Sequence, residues 1–244
     1  MEINNFTVIE SIYGRFIVNR HCAFQAEALI KTGRTHIEAE LQSILSLVGT
    51  LPPNCVFVDA GANIGLVCIP VAQAIRKKNG SVHAFEVQRM MFNALCGSVA
   101  LNDLENLRVH HQGLGSAKTL LKVPRLDYGV PQDFGMLSLV SQTGFSAYEN
   151  VELVAIDDMK LPRLDFLKID VEGMEIDVLK GARRTIEAHL PWGWIEYWKV
   201  GVNVIKQQFA GLPYKFFEAD KMNMLCAPAA RLATNEISIE APEL

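Results

Sequence analysis

Apolar positions recur with two different periods along the chain, and the switches between those periods outline its elements. Residues 6–18 alternate loosely between apolar and polar around Tyr13-Gly14-Arg15, which predicts a peripheral hairpin. A helix is expected next. Thr35 and Glu38 read as its capping box, Ile37, Leu41, Ile44, Leu45 and Val48 form its buried stripe, and Gly49 with Pro52-Pro53 ends it. From Val56 onward short apolar strands alternate with helical stretches, the signature of a parallel sheet covered on both faces. Strands are expected near 56–59, 82–86, 107–111, 166–170, 193–197, 214–219 and 223–227. Helices are expected over 64–77 and 88–101, the second with Met91, Phe92, Leu95, Cys96 and Val99 on one face, and each crossover suits a right-handed βαβ unit.

Residues 113–158 break this rhythm with short strand-like pieces at 120–123, 136–140 and 151–156, and are read as a substrate-facing wall. Only Asp220-Lys221-Met222 separates the last two strands, too little for a parallel crossover, so they are expected to pair antiparallel. The pattern thus predicts one α/β domain over 1–244. N-terminal strands and a helix occupy 1–50, and a doubly wound core with a seven-stranded, mostly parallel sheet occupies 51–244, interrupted by the insertion at 113–158.

Composition refines this picture mainly by exclusion. With 244 residues, half of them hydrophobic and 20% charged, the chain has material for a full-sized core and is far from disordered or collagen-like classes. Lys and Arg number 23 against 27 Asp and Glu, a net charge of −4, so no global positive field favours a nucleic acid partner. The mean hydropathy is +0.16, but no uncharged apolar run approaches the roughly 18–20 residues of a membrane span. The apolar excess is therefore assigned to a buried sheet. Met-Glu-Ile-Asn-Asn-Phe at the start shows neither a secretory nor an Arg-rich transit pattern, which makes a cytoplasmic location the expectation. Cys22, Cys55, Cys68, Cys96 and Cys226 are scattered without metal-ligand spacing and are read as reduced core residues.

The first chemistry-bearing stretch is Val56-Phe57-Val58-Asp59-Ala60-Gly61-Ala62-Asn63-Ile64-Gly65, an apolar strand ending in an acid and running into a small-residue turn before a helix. A dinucleotide fingerprint needs Gly-x-Gly-x-x-Gly, yet Asn63 and Leu66 stand where its second and third glycines belong. Asp59 adds a charge argument: a carboxylate at the strand tip repels a pyrophosphate and attracts a ligand with cationic groups. S-adenosylmethionine, with an ammonium, a sulfonium and no phosphate, fits that requirement better than NAD. Glu86 closes the next strand, 21 residues after Gly65, where a carboxylate accepts hydrogen bonds from ribose hydroxyls.

The third stretch is Asp165-Phe166-Leu167-Lys168-Ile169-Asp170-Val171-Glu172-Gly173-Met174-Glu175. Alternation puts Lys168, Asp170 and Glu172 on one side of the strand. A lysine inside a buried strand requires an acidic partner, expected from Asp170 or from Asp157-Asp158. Gly173 then admits a turn into a helix burying Val178, Leu179, Ala182 and Ile186. His110-His111 and the cluster Trp192, Trp194 and Trp198 suit packing as readily as a ligand site.

These pieces resemble the FkbM-type S-adenosylmethionine-dependent methyltransferases. The likeness is carried by Val58 to Gly65, Ala84-Phe85-Glu86, Leu101-Asn102, Met136-Leu137-Ser138 and above all Leu167 to Glu175 followed by Leu179-Lys180-Gly181-Ala182, within residues 35–200. Val87 departs from the proline that often follows the ribose-binding Glu in that family. The resemblance implies a class I methyltransferase, Rossmann-like sheet and O-methylation of a sugar, glycan or polyketide-type hydroxyl. It also implies a cofactor site in which Asp59, Gly61, Ala62, Asn63 and Gly65 line the methionine and ribose side, Glu86 the ribose, and Val87-Gln88 the adenine. Gly113-Leu114-Gly115 then closes over the adenine, Asn102 is a further candidate, and Asp170 borders the cofactor. A sugar hydroxyl must lose its proton to attack, so Asp170, Glu172 and Glu196 are the candidates for a base, or alternatively for a Mg²⁺ site. Two other readings stand beside this one: an NAD-dependent oxidoreductase, and a non-catalytic cofactor-binding module of the same fold.

Overall fold

The structure, a computed structural model, describes residues 4–137, 144–232 and 242–244. A hairpin comes first, β1 (Phe6–Ser11) and β2 (Gly14–Asn19). Two helices follow, α1 (Ala23–Thr32), which the hydrophobic pattern does not signal, and α2 (Glu38–Gly49). The alternating core then runs β3 (Val56–Ala60), α3 (Cys68–Arg76), β4 (Ser81–Phe85), α4 (Arg89–Leu101) and β5 (Leu107–His110). The insertion supplies β6 (Gly113–Leu114), β7 (Thr119–Pro124) and β8 (Tyr148–Val154), which form a separate small sheet in the order β6-β8-β7. The chain returns to the core with β9 (Phe166–Ile169), α5 (Glu175–Gly181), α6 (Arg183–His189), β10 (Trp192–Glu196) and α7 (Val202–Gln208). It closes with β11 (Tyr214–Glu218), β12 (Asn223–Pro228) and the short α8 (Ala229–Leu232).

All seven expected core strands join one sheet in the order β11-β12-β10-β9-β3-β4-β5. The pairs from β10 to β5 are parallel, and β12 runs antiparallel to both β10 and β11, as the three-residue connection requires. Alternation along the strands feeds two cores. Phe57 and Phe166, stacked at 4.8 Å, face the core shared with α2, α3 and α4, while Val58, Ala60, Leu167 and Ile169 face the one shared with α5, α6 and α7. The order reverses between β3 and β9, and side chains at that switch point open onto a crevice at the carboxyl ends of the strands.

Several boundaries differ from the pattern-based expectation. The capping box does not form: α2 begins at Glu38 itself, Thr35 Oγ1 accepts from the Ile37 N–H, and Glu38 instead receives the Tyr13 hydroxyl at 2.5 Å and Arg34. α3 starts at Cys68 rather than 64, because Asn63 and Gly65 adopt left-handed backbone angles of 50° and 92° and spend the intervening residues in a turn. The buried face of α4 is Met91, Ala94, Leu95 and Ser98, rotated from the expected one because β2 packs along it. The helix after Gly173 is two helices, broken at Ala182. The expected piece at 136–140 has no regular structure at 136–137, and its residues 138–140 lie outside those described. All five cysteines are free, and four are buried. No helix among the described residues is long and apolar enough to cross a membrane.

The hairpin is fastened to α4 by side chains that satisfy the open edge of β2. Ser98 Oγ accepts from the Ile17 N–H at 2.8 Å, and Asn102 bonds both the N–H and the carbonyl of Arg15 at 2.9 and 2.7 Å. Asn102→Ala removes two of these links and is expected to lower the unfolding free energy by about 1–2 kcal/mol, read from urea denaturation. An unchanged midpoint would show that the hairpin docks through its apolar contacts alone.

Candidate active site

The tips of β3, β4, β9 and β10 border a single cavity, roofed by α2 and by the insertion. Its floor is an ion-pair cluster set by strand register. Asp59 and Lys168 are direct neighbours on β3 and β9, and the Lys168 ammonium lies 3.6 Å from Asp59 and 3.5 Å from Asp170. Lys168 is 4% exposed and Asp59 1%. Burial on its own pushes Lys168 toward the neutral amine, but Asp170, Asp59, Glu40 and Glu196 outweigh that and raise its pKa, so it stays charged. The expected acidic partner is thus present as Asp170, joined by Asp59. Asp157 and Asp158 are instead taken by Arg184 on the far side of the sheet.

Glu86, at the tip of β4, forms the opposite wall. Its carboxylate accepts from the Asn63 N–H at 2.8 Å and the Gln88 N–H at 2.7 Å, which fixes it across the mouth of the β3–α3 turn. Burial raises its pKa to about 7 despite those bonds. Each carboxylate oxygen has a second lone pair, so both remain able to accept from a ligand hydroxyl. Gln88 is spoken for by the scaffold: its amide donates to the Phe134 carbonyl and accepts from the Tyr128 hydroxyl.

On the other flank, Asp170, Glu172 and Glu196 bring carboxylate oxygens within 4.8 Å of one another. The turn that does this is unusual. Glu172 and Gly173 take consecutive positive φ values of 59° and 107°, and Glu175 at the start of α5 braces the turn by accepting from the Val171 and Gly173 N–H groups. A left-handed conformation costs a non-glycine residue roughly 1–2 kcal/mol. The return is that Glu172 faces the cavity and pairs with Lys199. Among the described residues Glu196 has no ion pair of its own and its buried Oε2 has no hydrogen bond, and burial beside Asp170 and Glu175 pushes its pKa to about 8.

Not every sequence candidate reaches the cavity. Asp59, Gly61, Ala62, Asn63, Glu86, Val87, Gln88, Gly113, Leu114 and Asp170 line it, as do Glu172 and Glu196. Gly65 lies outside, where its missing side chain leaves room for Leu95 and Ile69. Gly115 also lies outside, its carbonyl packed against Gly181, and Asn102 serves the hairpin instead. Even Gly61, at φ 83°, is required by the protein itself, since a Cβ there collides with the Asp170 carbonyl oxygen. His110 stacks on Phe85 and His111 on Phe92, neither histidine lines the cavity, and Trp192 and Trp194 are core.

The pattern analysis missed the contribution of the N-terminal helices. Glu40 and His36 from the α2 segment and Gln25 from α1 line the cavity. The available signal was Glu40, an acid three residues after Ile37 and four before Ile44, squarely in the apolar stripe of its helix. Among the described residues, seven carboxylates, Glu40, Asp59, Glu86, Asp133, Asp170, Glu172 and Glu196, and a single ammonium, Lys168, line this space.

A family model described as the methyltransferase FkbM domain matches residues 59–224. Methyltransferase sdnD of Sordaria araneosa is 28% identical over 188 residues, 65% of this chain and 68% of that protein. Methyltransferase 1 of Beauveria bassiana is 26% identical over 157 residues, 55% of this chain and 61% of that protein. Among solved structures, a methyltransferase FkbM from Methylobacillus flagellatus superimposes with a TM-score of 0.53 at 19% identity, covering 86% of this chain and 55% of that one. Trm5b from Pyrococcus abyssi gives 0.52 at 11%, covering 92% and 56%. The chain therefore spans about two thirds of these curated relatives and little more than half of these solved chains, and the structural likeness is one of fold.

The Glu86 environment gives a pH signature. Its raised folded-state pKa means the folded protein keeps a proton that the unfolded chain releases between about pH 4.5 and 7, so the wild type loses stability as pH rises through that window. Glu86→Gln does not titrate. Relative to wild type it is expected to gain on the order of 1–3 kcal/mol across the window and then level off, in ligand-free urea unfolding. A difference independent of pH would contradict the burial of this carboxyl.

Proposed function

Since the chain belongs to the methyltransferase FkbM family by a match spanning well over half its length, we propose that it transfers a methyl group from S-adenosylmethionine to a hydroxyl of a sugar, glycan or polyketide-type small molecule. The seven-stranded sheet is that of the class I methyltransferases. One observation carries the cofactor reading: a cavity at the strand-order switch point with Glu86 on one wall and an excess of carboxylates, led by the buried Asp59, on the other. Asp59 exposes 1% of its surface and both its oxygens lack a hydrogen-bond partner, which suits a ligand that brings cations. Phosphates would meet repulsion from the same groups, so the site favours this cofactor over a dinucleotide. Family membership points the same way, toward methyl transfer rather than hydride transfer.

In this reading Glu86 accepts from the ribose hydroxyls, while Val87, Gly113 and Leu114 border the adenine side and Asp59 and Asp170 the methionine side. When bound, the cofactor supplies an electrophilic methyl on a sulfonium, open to in-line attack by the acceptor oxygen. The chain's part is to orient that oxygen and remove its proton. Of the three clustered acids, Asp170 is paired with Lys168 and Glu172 with Lys199. Among the described residues Glu196 lacks such a partner, and burial beside Asp170 and Glu175 pushes its pKa to about 8, so in this reading it takes the proton while the other two position the hydroxyl. The two lysines already neutralise two of the three carboxylates, which favours proton transfer over a Mg²⁺ site there. The aliphatic side chains Leu121, Leu137 and Leu153 of the insertion form the remaining wall and are assigned to acceptor selection.

The test is a panel of glycan and polyketide hydroxyl acceptors incubated with methyl-labelled cofactor and read by mass. Wild-type protein is expected to add one methyl to oxygen, with kcat rising as pH increases through about 8 as Glu196 loses its proton. Glu196→Gln is expected to lower kcat by roughly 10²- to 10⁴-fold and to remove that pH limb. Methylation on nitrogen, or undiminished transfer by an Asp170→Ala, Glu172→Ala double variant, would overturn the assignment.

A further inference from the structure

Glu40 stands apart from the residues that family and fold lead one to examine. It lies on α2, outside the residues 59–224 that match the family, yet it lines the same cavity as the strand tips. Its position in the apolar stripe between Ile37 and Ile44 turns it toward the cavity, where it is half-buried. Among the described residues it has neither a hydrogen bond nor an ion pair within 4 Å. The charged groups that act on it most strongly are Lys168 from β9, Asp170 just past its end, Asp220 from the β11–β12 connection and Asp59 from β3. Lys168 is the only cation of these, and it is already committed to Asp59 and Asp170. Burial among like charges makes ionised Glu40 costly, and its pKa is pushed to about 7.

A second observation points to a cation from outside. Asp59, almost fully buried beneath the same region, shares Lys168 with Asp170 at 3.6 Å, and among the described residues neither of its oxygens has a partner within hydrogen-bond distance. The neighbours of Glu40 also place it along the sheet. Its charge is coupled to Asp59 on β3 and to Lys168 and Asp170 at the end of β9, whereas Glu86 closes β4 on the opposite side of β3. A nucleoside ligand whose ribose is held at Glu86 directs its other end toward the β3 and β9 tips. In S-adenosylmethionine that end is the amino acid, with its ammonium.

We propose that Glu40, contributed by the N-terminal helix, binds the ammonium of the cofactor's amino-acid end, so that α2 completes the cofactor site from outside the family-matched core. This rests on the S-adenosylmethionine reading above. Glu40 becomes a determinant of which ligands enter: those with an aminocarboxypropyl group are selected over truncated nucleosides that keep the ribose and adenine.

Calorimetric titration with two ligands separates this from a structural role. S-adenosylhomocysteine carries the ammonium; 5′-methylthioadenosine keeps the thioether nucleoside and lacks it. At about pH 8, where both Glu40 and the ligand ammonium are mostly charged, Glu40→Gln is expected to weaken S-adenosylhomocysteine by about tenfold or more. The same variant is expected to bind 5′-methylthioadenosine like wild type, which also shows that it is folded. Glu40→Asp, which keeps the charge, is expected to recover part of the loss. Equal weakening of both ligands, or of neither, would overturn the proposal while leaving the cofactor reading intact. Failure of the wild-type protein to bind either ligand would overturn both.

Discussion

A single buried ammonium, Lys168, holds the acidic end of this sheet together. Its position is fixed by the parallel register of β3 and β9, which sets it directly beside Asp59, and by strand alternation, which turns Asp170 toward the same side. Without that charge, burial would hold Asp59 in its protonated form, because an ionised carboxylate in a core needs a cation beside it. With it, four carboxylates from four elements, Asp59, Asp170, Glu40 and Glu196, converge on one cation. The cluster is deliberately short of positive charge. Burial, with the neighbouring carboxylates adding to it, raises the pKa values of Glu40 and Glu196, and in the reading proposed above a cationic ligand relieves that strain.

The backbone around this cluster is arranged to bring the strand tips close. Gly61 has no side chain because the Asp170 carbonyl occupies that space, so the glycine-rich turn and the acid-rich turn fit one another before any ligand is considered. The left-handed pair Glu172-Gly173 then reverses the chain, and Glu175 accepts the N–H groups that the reversal would leave without partners. On the other side Glu86 bonds the Asn63 N–H, tying β4 to the same turn. Three crossovers are thereby locked at their carboxyl ends, a rigidity that the proposed positioning of an acceptor oxygen would demand.

The core strands were legible because fully buried parallel strands are short apolar runs, a signal that survives without knowledge of partners. The acids at their tips were legible for a similar reason: Asp59, Glu86 and Asp170 each interrupt such a run at its end. What escaped was whatever depended on packing between distant segments. Helix α1 carries no clean stripe, and the face of α4 is set by the hairpin laid across Ala94 and Ser98. Gly65, Gly115 and Asn102 look like ligand contacts in a linear motif, yet each serves a neighbouring element. Glu40 is the converse case. Its place in an apolar stripe marked it as anomalous, but only the folded chain shows that the stripe borders a cavity.

The account stands on the direction in which a ligand lies across the sheet edge, with its nucleoside on β4 and its cationic end over β3 and β9. A crystal structure with S-adenosylhomocysteine measures that directly. The expected result is ribose hydroxyls on Glu86 and the amino-acid end among Asp59, Asp170 and Glu40. A ligand bound in the reverse direction, or at a site away from Glu86 and Lys168, would contradict it.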